Sequence, residues 1–169
     1  DLGYDFQTII ERQSQQPLDP FRANWAYTNM GFSAAGDAAA EVVGTTWADL
    51  ADQVIFDPLG MTSSSYRFED FESAENRASD MTKWLRMELG GGELDGATIV
   101  DAAALQGTLA AHYTNGPAKA PAARNSAYGL GWNVSVDNAG RAKLGHSGAF
   151  ALGAGTNVTM LPGEGLGQV

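Results

Sequence analysis

The 169 residues contain no cysteine and only two histidines, His112 and His146. The first absence excludes a disulfide and a thiolate zinc site, and leaves the redox compartment open. Basic residues are scarce as well: 10 Lys and Arg stand against 20 Asp and Glu, a formal charge of −10. That balance argues against nucleic acid or an anionic membrane as partner and reads as a solvated acidic surface. No apolar run reaches the roughly 18 residues of a membrane-spanning helix, and neither a low-complexity tract nor an internal repeat is visible.

What is present suits an ordinary globular chain of about one domain, long enough for a sizeable core. The ends are unusual. The chain starts at Asp1 with no Met and no signal peptide, and it stops at "LGQV", which reads as the start of a strand. The expectation is therefore a part of a longer protein.

Apolar spacing divides the chain into a mainly helical region, 1–120, and an antiparallel sheet region, 121–169, an α+β pattern. Phe6, Ile9 and Ile10 follow helical spacing. From Asn29 to Val43, the residues Met30, Ala34, Ala38 and Val42 form one stripe, and Gly44 stops it. Thr46 and Asp49 resemble a capping box, opening a helix whose buried face is expected to be Trp47, Leu50, Ala51, Val54 and Ile55, with Pro58 and Gly60 ending it. Met81, Trp84, Leu85 and Leu89 mark a helix closed by Gly90, Gly91 and Gly92, and residues 101–111 a weaker one. Beyond "NGPAKAPAARNS" the period changes to two. Alternation of Tyr128, Leu130, Trp132, Val134 and Val136 predicts a strand over 126–136, with further strands over 141–149 and 154–161 and a fourth after "PGEG".

"GHSGA", residues 145–149, invites Ser147 as a nucleophile. An α/β-hydrolase elbow needs a helix, an acid and a histidine after the serine. Here Ala149 stands at the fifth position, the following residues are strand-like, and neither Asp nor His occurs beyond Ser147. A trypsin-like order could be forced on His112, Asp137 and Ser147, but that double barrel has no place for the helices. No H-E-x-x-H occurs, Asp137 suits a turn, and the glycine clusters lack a strand-then-helix phosphate-loop setting. No metal and no cofactor is expected. Asn133 and Asn157 match the glycosylation triplet inside strand patterns, which reads as chance.

Two triplets taken together say more. Tyr27-Thr28-Asn29 stands just before a helix, and His146-Ser147-Gly148 stands on a strand. Tyr-x-Asn followed by His-x-Gly resembles the second and third motifs of the serine β-lactamases and penicillin-recognising D-alanyl-D-alanine peptidases, whose sister forms are S-D-N and K-T-G. "WADLADQVIFDPLGMTSSSY", "SDMTKWLRMELGGG", "YGLGWNV" and "GHSGAFALGAGTNVTMLP" are similar to their counterparts in the class C-like branch, which includes D-amino-acid peptidases and carboxylesterases.

The resemblance implies one β-lactamase-like catalytic domain, in which a serine attacks a carbonyl to form an acyl-enzyme. It implies that Tyr27 is base or proton shuttle, since nearby cations favour a phenolate, and that Asn29 orients the catalytic Lys and a substrate amide. It implies that His146 replaces the Lys of K-T-G and donates towards Tyr27 or a substrate carboxylate. Ser147, Gly148 and Ala149 would form the substrate wall, with the Ala149 N–H as one oxyanion donor. A small-molecule or peptide acyl donor and the remainder of its own polypeptide are the implied partners, and a periplasmic or secreted setting the implied location.

Two departures stand out. No serine has a lysine three residues on, so the family's first motif would precede Asp1. "FESAENRASDM" is shorter than the loop usual in the family. β-Lactam, D-amino peptide and ester all remain open as substrates, with His-x-Gly leaning towards peptidase or esterase. Two rival readings stand beside this one: a non-catalytic relative that binds without reacting, and an unrelated α+β binding domain with Tyr27 and His146 far apart. By itself the chain is expected to lack activity and to fold loosely, with an open strand edge and an exposed apolar helix face.

Overall fold

A computed structural model describes residues 4–21, 23, 25–70, 77–116, 120, 123–149 and 155–169. Most of the shortened loop noted above, residues 71–76, lies outside the described residues. The chain forms two compact units, Asp1–Leu50 and Ala51–Val169.

The first unit opens with two α-helices. α1, Phe6–Arg12, begins where the Asp5 carboxylate accepts the Thr8 N–H at 2.8 Å, satisfying one of the free donors of a first turn. α2, Asn29–Val43, starts at Thr28, whose hydroxyl accepts the Met30 N–H, and stops at Gly44 with φ 74°, a left-handed position that favours glycine.

The stripe expected on α2 is only partly buried. Met30 and Ala34 are half-buried, whereas Ala38 is exposed and Val42 is 87% exposed. The buried positions are Gly36 and Ala40. Gly36 faces the indole of Trp47, and a Cβ there would stand 3.0 Å from the ring. A glycine carries no apolar signal, so the buried face is rotated from the one the pattern marks.

A continuous helical run follows: α3, Trp47–Ala51; a π turn, Asp52–Phe56; and α4, Asp57–Leu59. The Thr46 hydroxyl accepts the Asp49 N–H at 3.1 Å and donates to its carboxylate at 2.7 Å, as a helix start requires. Gly60 ends the run at φ 63°, while Pro58 sits inside α4 rather than after it. The expected buried face also fails in part: Ala51 is buried, Leu50 and Ile55 are half-buried, and Trp47 and Val54 are exposed. The π turn inserts an extra residue and shifts the helical face, which α-helical spacing does not anticipate.

In the second unit, α5, Arg77–Leu89, lies against a six-stranded antiparallel sheet whose strands neighbour one another in chain order. These are β3, Tyr113–Thr114; β4, Ala127–Tyr128; β5, Asn133–Val136; β6, Ala142–Ala149; β7, Gly155–Leu161; and β8, Leu166–Gln168. The second unit also holds a hairpin, β1 (Glu93–Leu94) with β2 (Ala97–Thr98), and α6, Ala102–Leu109. Leu85 of α5 joins Trp132, Leu144, Val158 and Met160 in one core, with Met81, Trp84 and Leu89 packed on it. Leu59, Met61, Met87 and Leu105 form a second core.

Several boundaries differ from the sequence expectation. The strand expected over 126–136 is two strands, because residues 129–132 turn: the Gly129 N–H donates to the Trp132 carbonyl at 2.7 Å and Gly131 takes φ 91°. Leu130, 52% exposed, donates its N–H to the Thr108 carbonyl at the end of α6. A Cβ at Gly129 would stand 2.5 Å from that same oxygen, so this close approach needs glycine. The hairpin β1–β2 and the short β3 interrupt the region expected to be helical.

Candidate active site

Tyr27 and Asn29 belong to the first unit, at the entry to α2. Tyr27 is half-exposed, its ring 5.9 Å from that of Trp25 in an edge-to-face arrangement. Asn29 is the first residue of α2 and is exposed, and its carbonyl accepts from the Ser33 hydroxyl. Thr28, rather than Asn29, caps the helix. The triplet thus presents Tyr27 and Asn29 on either side of a capping residue, at the point where extended chain becomes helix.

His146, Ser147, Gly148 and Ala149 form the last half of β6 in the second unit, paired with Val158, Asn157, Thr156 and Gly155 of β7. On the other side, β5 begins at Asn133 opposite Gly145. Residues 146–149 therefore have a ladder partner towards β7 and, among the described residues, no strand partner towards β5. A one-sided strand offers backbone donors and acceptors to an extended ligand.

Adjacent positions on a strand project to opposite faces. His146 shares its face with buried Leu144, while Ser147 is exposed on the other face. The imidazole is thus not placed to deprotonate its neighbour. Its Nε2 lies 3.2 Å from the Tyr128 hydroxyl of β4 instead, with ring centroids 6.3 Å apart. Tyr128, buried at 8% exposure, was legible only as a strand residue within "YGLGWNV"; nothing in the local sequence marks a contact with a histidine 18 positions on.

His112 plays a local part: its Nε2 meets the Gly107 carbonyl at 2.7 Å. Asp137 organises the β5–β6 turn, accepting the N–H groups of Ala139 and Arg141 and pairing with the Arg141 side chain. Among the described residues, no three His, Asp or Glu side chains are grouped to hold a metal.

Two buried carboxyls on α5 carry no mark in the sequence pattern. Asp80, 2% exposed, accepts the Ser63 N–H at 2.7 Å, the Ser64 hydroxyl at 3.1 Å and the Lys83 ammonium at 3.1 Å. Lys83 also donates to the Gly60 carbonyl. Burial alone would push the Asp80 carboxyl up; the donors and the Lys83 charge outweigh it and hold it below its usual value. Glu88 is buried without such help: its Oε2 has no hydrogen-bond partner among the described residues, and burial pushes its carboxyl from 4.5 to about 7.

Helices together with an antiparallel meander place the chain in a class of fold, that of the β-lactamase and penicillin-binding-protein-like proteins. The chain belongs to the Beta-lactamase family, whose model matches residues 3–169. Among solved structures it is similar to the octameric penicillin-binding protein homologue from Pyrococcus abyssi, with a TM-score of 0.75 and 18% identity. That likeness covers 95% of this chain and 42% of the other, so the chain spans less than half of that protein's length. No curated protein matches it.

Proposed function

We propose that this chain is part of a serine hydrolase that opens amide or ester substrates through an acyl-enzyme. The observation that carries the reading is the end of β6, where, among the described residues, His146, Ser147, Gly148 and Ala149 pair on one side only and leave a strand edge for the acyl donor. In this reading the Tyr27 phenol relays the nucleophile's proton and Asn29 orients a cation and the substrate amide. His146 donates to substrate. Gly148 lets substrate approach the backbone, and the Ala149 N–H stabilises the developing oxyanion. Ser147 is a wall residue. Residues 1–120 supply the Tyr-x-Asn half and 121–169 the His-x-Gly half of one catalytic domain. The chain contains no Ser-x-x-Lys, so the nucleophile belongs to sequence outside it, and the remainder of the polypeptide is the first partner.

Of the acyl donors, D-amino peptides and simple esters suit His-x-Gly better than a β-lactam does. The experiment exposes the whole gene product to a fluorescent penicillin and to an activated ester, and maps any adduct by mass spectrometry. An acyl group on a serine followed three residues later by lysine is the expected result. Saturable binding with no adduct would make the protein a non-catalytic relative, and an adduct on Ser147 would overturn the assignment of roles.

A further inference from the structure

Gly148 has no side chain, and the residue opposite it on the neighbouring strand is Thr156. The register pairs His146 with Val158 and Gly148 with Thr156. Alternate residues of a strand share a face, as do directly opposed residues of an antiparallel pair. His146, Gly148, Val158 and Thr156 therefore stand on one face of β6 and β7. Val158 is buried there, whereas Thr156 is exposed. A Cβ at Gly148 would stand 3.5 Å from Thr156 Cγ2, so any other residue at 148 would wall Thr156 off from the unpaired edge of β6. Gly148 does not take a positive φ. The position thus uses the missing side chain and not the freedom of the backbone.

The geometry points to Thr156 as a specificity-determining residue that hydrogen-bonds an uncharged polar substituent of the acyl donor, passing over the bare backbone of Gly148. Neighbouring strands lie about 4.8 Å apart, so a ligand chain beside residues 146–149 runs about 10 Å from the β7 backbone. Thr156 is out of reach of that chain itself and meets only a substituent that leans inward across Gly148. Its hydroxyl both donates and accepts but adds no charge, which suits an amide. The role rests on the reading of the β6 edge as the place of the acyl donor.

Two activated esters test it in the whole protein, one of a straight-chain aliphatic acid and one of the same acid ending in a primary amide. Thr156→Val removes the hydroxyl at an exposed strand position where valine is well suited, and Thr156→Ser keeps it. In Thr156→Val, kcat/KM for the amide ester should fall roughly 3- to 10-fold, the size of one hydrogen bond. The aliphatic ester should be unaffected, and Thr156→Ser should behave as wild type. Equal effects of Thr156→Val on the two esters, including no effect on either, overturn the role of Thr156. A wild-type protein that binds both esters without acylation removes the hydrolase reading alone, and the same comparison is then read in Kd. A wild-type protein that binds neither ester overturns both.

Discussion

The indole of Trp84 on α5 stacks on that of Trp132, the residue just before β5, with centroids 5.3 Å apart and planes 4° from parallel. Trp132 is 4% exposed and belongs to the cluster that joins α5 to the sheet. Trp132→Ala removes a large buried aromatic and should cost about 3–5 kcal/mol in chemical denaturation, while Trp132→Phe should recover much of that. An alanine variant within about 1 kcal/mol of wild type, on the scale of ordinary surface substitutions, would show that the sheet holds α5 by other contacts.

Asp80 ties α5 to Ser63 and Ser64 through two donors, and Lys83 of the same helix supplies a third. Its folded-state pKa is below the ordinary 3.8, so the stability it contributes is present above 3.8 and is lost as pH falls through the lowered value. Asp80→Asn should therefore be less stable than wild type near neutral pH, by about 1.5–3 kcal/mol for lost charge-assisted bonds. The gap should close on acidification. Denaturation curves that stay equally far apart from neutral pH down into strong acid would remove the carboxylate charge from the account.

Glu88 should behave in the opposite sense. Its folded pKa of about 7 lies above the ordinary 4.5, so the protonated form is favoured in the folded protein. Its stabilising contribution is complete below 4.5 and declines as pH rises through about 7. Glu88→Gln should leave stability unchanged in mild acid and raise it in mild alkali. The gain should be about 1–3 kcal/mol, because each tenfold change in proton affinity is worth about 1.4 kcal/mol. Equal melting temperatures of the two proteins in mild alkali would contradict a carboxyl whose proton affinity is raised by burial.

Tyr27 carries the chemical claim at the entry to α2. In the whole protein, Tyr27→Phe should lower the acylation rate by on the order of 10²–10⁴-fold, the range for losing an acid–base group. Its fold should be retained, since the half-exposed phenol loses only a hydroxyl. Single-turnover kinetics with an activated ester measure this, and a rate near wild type would exclude Tyr27 from proton transfer.

Ser147→Ala separates wall from nucleophile. Ser147 is exposed on the strand face opposite His146, so its loss should change KM or substrate preference and leave an acyl-enzyme visible by mass spectrometry. Disappearance of the adduct in this variant, with folding intact, would restore Ser147 as the attacking group.

Local chemistry alone determined much of this protein. Gly44 and Gly60 end helices where a left-handed residue is needed, Thr46 with Asp49 opens one, and the alternation through 142–149 and 155–161 makes strands. Each signal acts within a few residues, so it survives in the sequence. The Tyr-x-Asn and His-x-Gly triplets were legible for the same reason. The tertiary structure decided what depends on distant atoms. The Thr108 and Ala110 carbonyls beside Gly129 accompany the break in the expected long strand, the Trp47 ring over Gly36 selects the buried face of α2, and the π turn rotates the helix that follows. The pairing of Tyr128 with His146 likewise exists only once β4 and β6 share a sheet with β5 between them. A side chain's hydrogen-bond partner is set by where the chain returns, and no short-range periodicity contains that information.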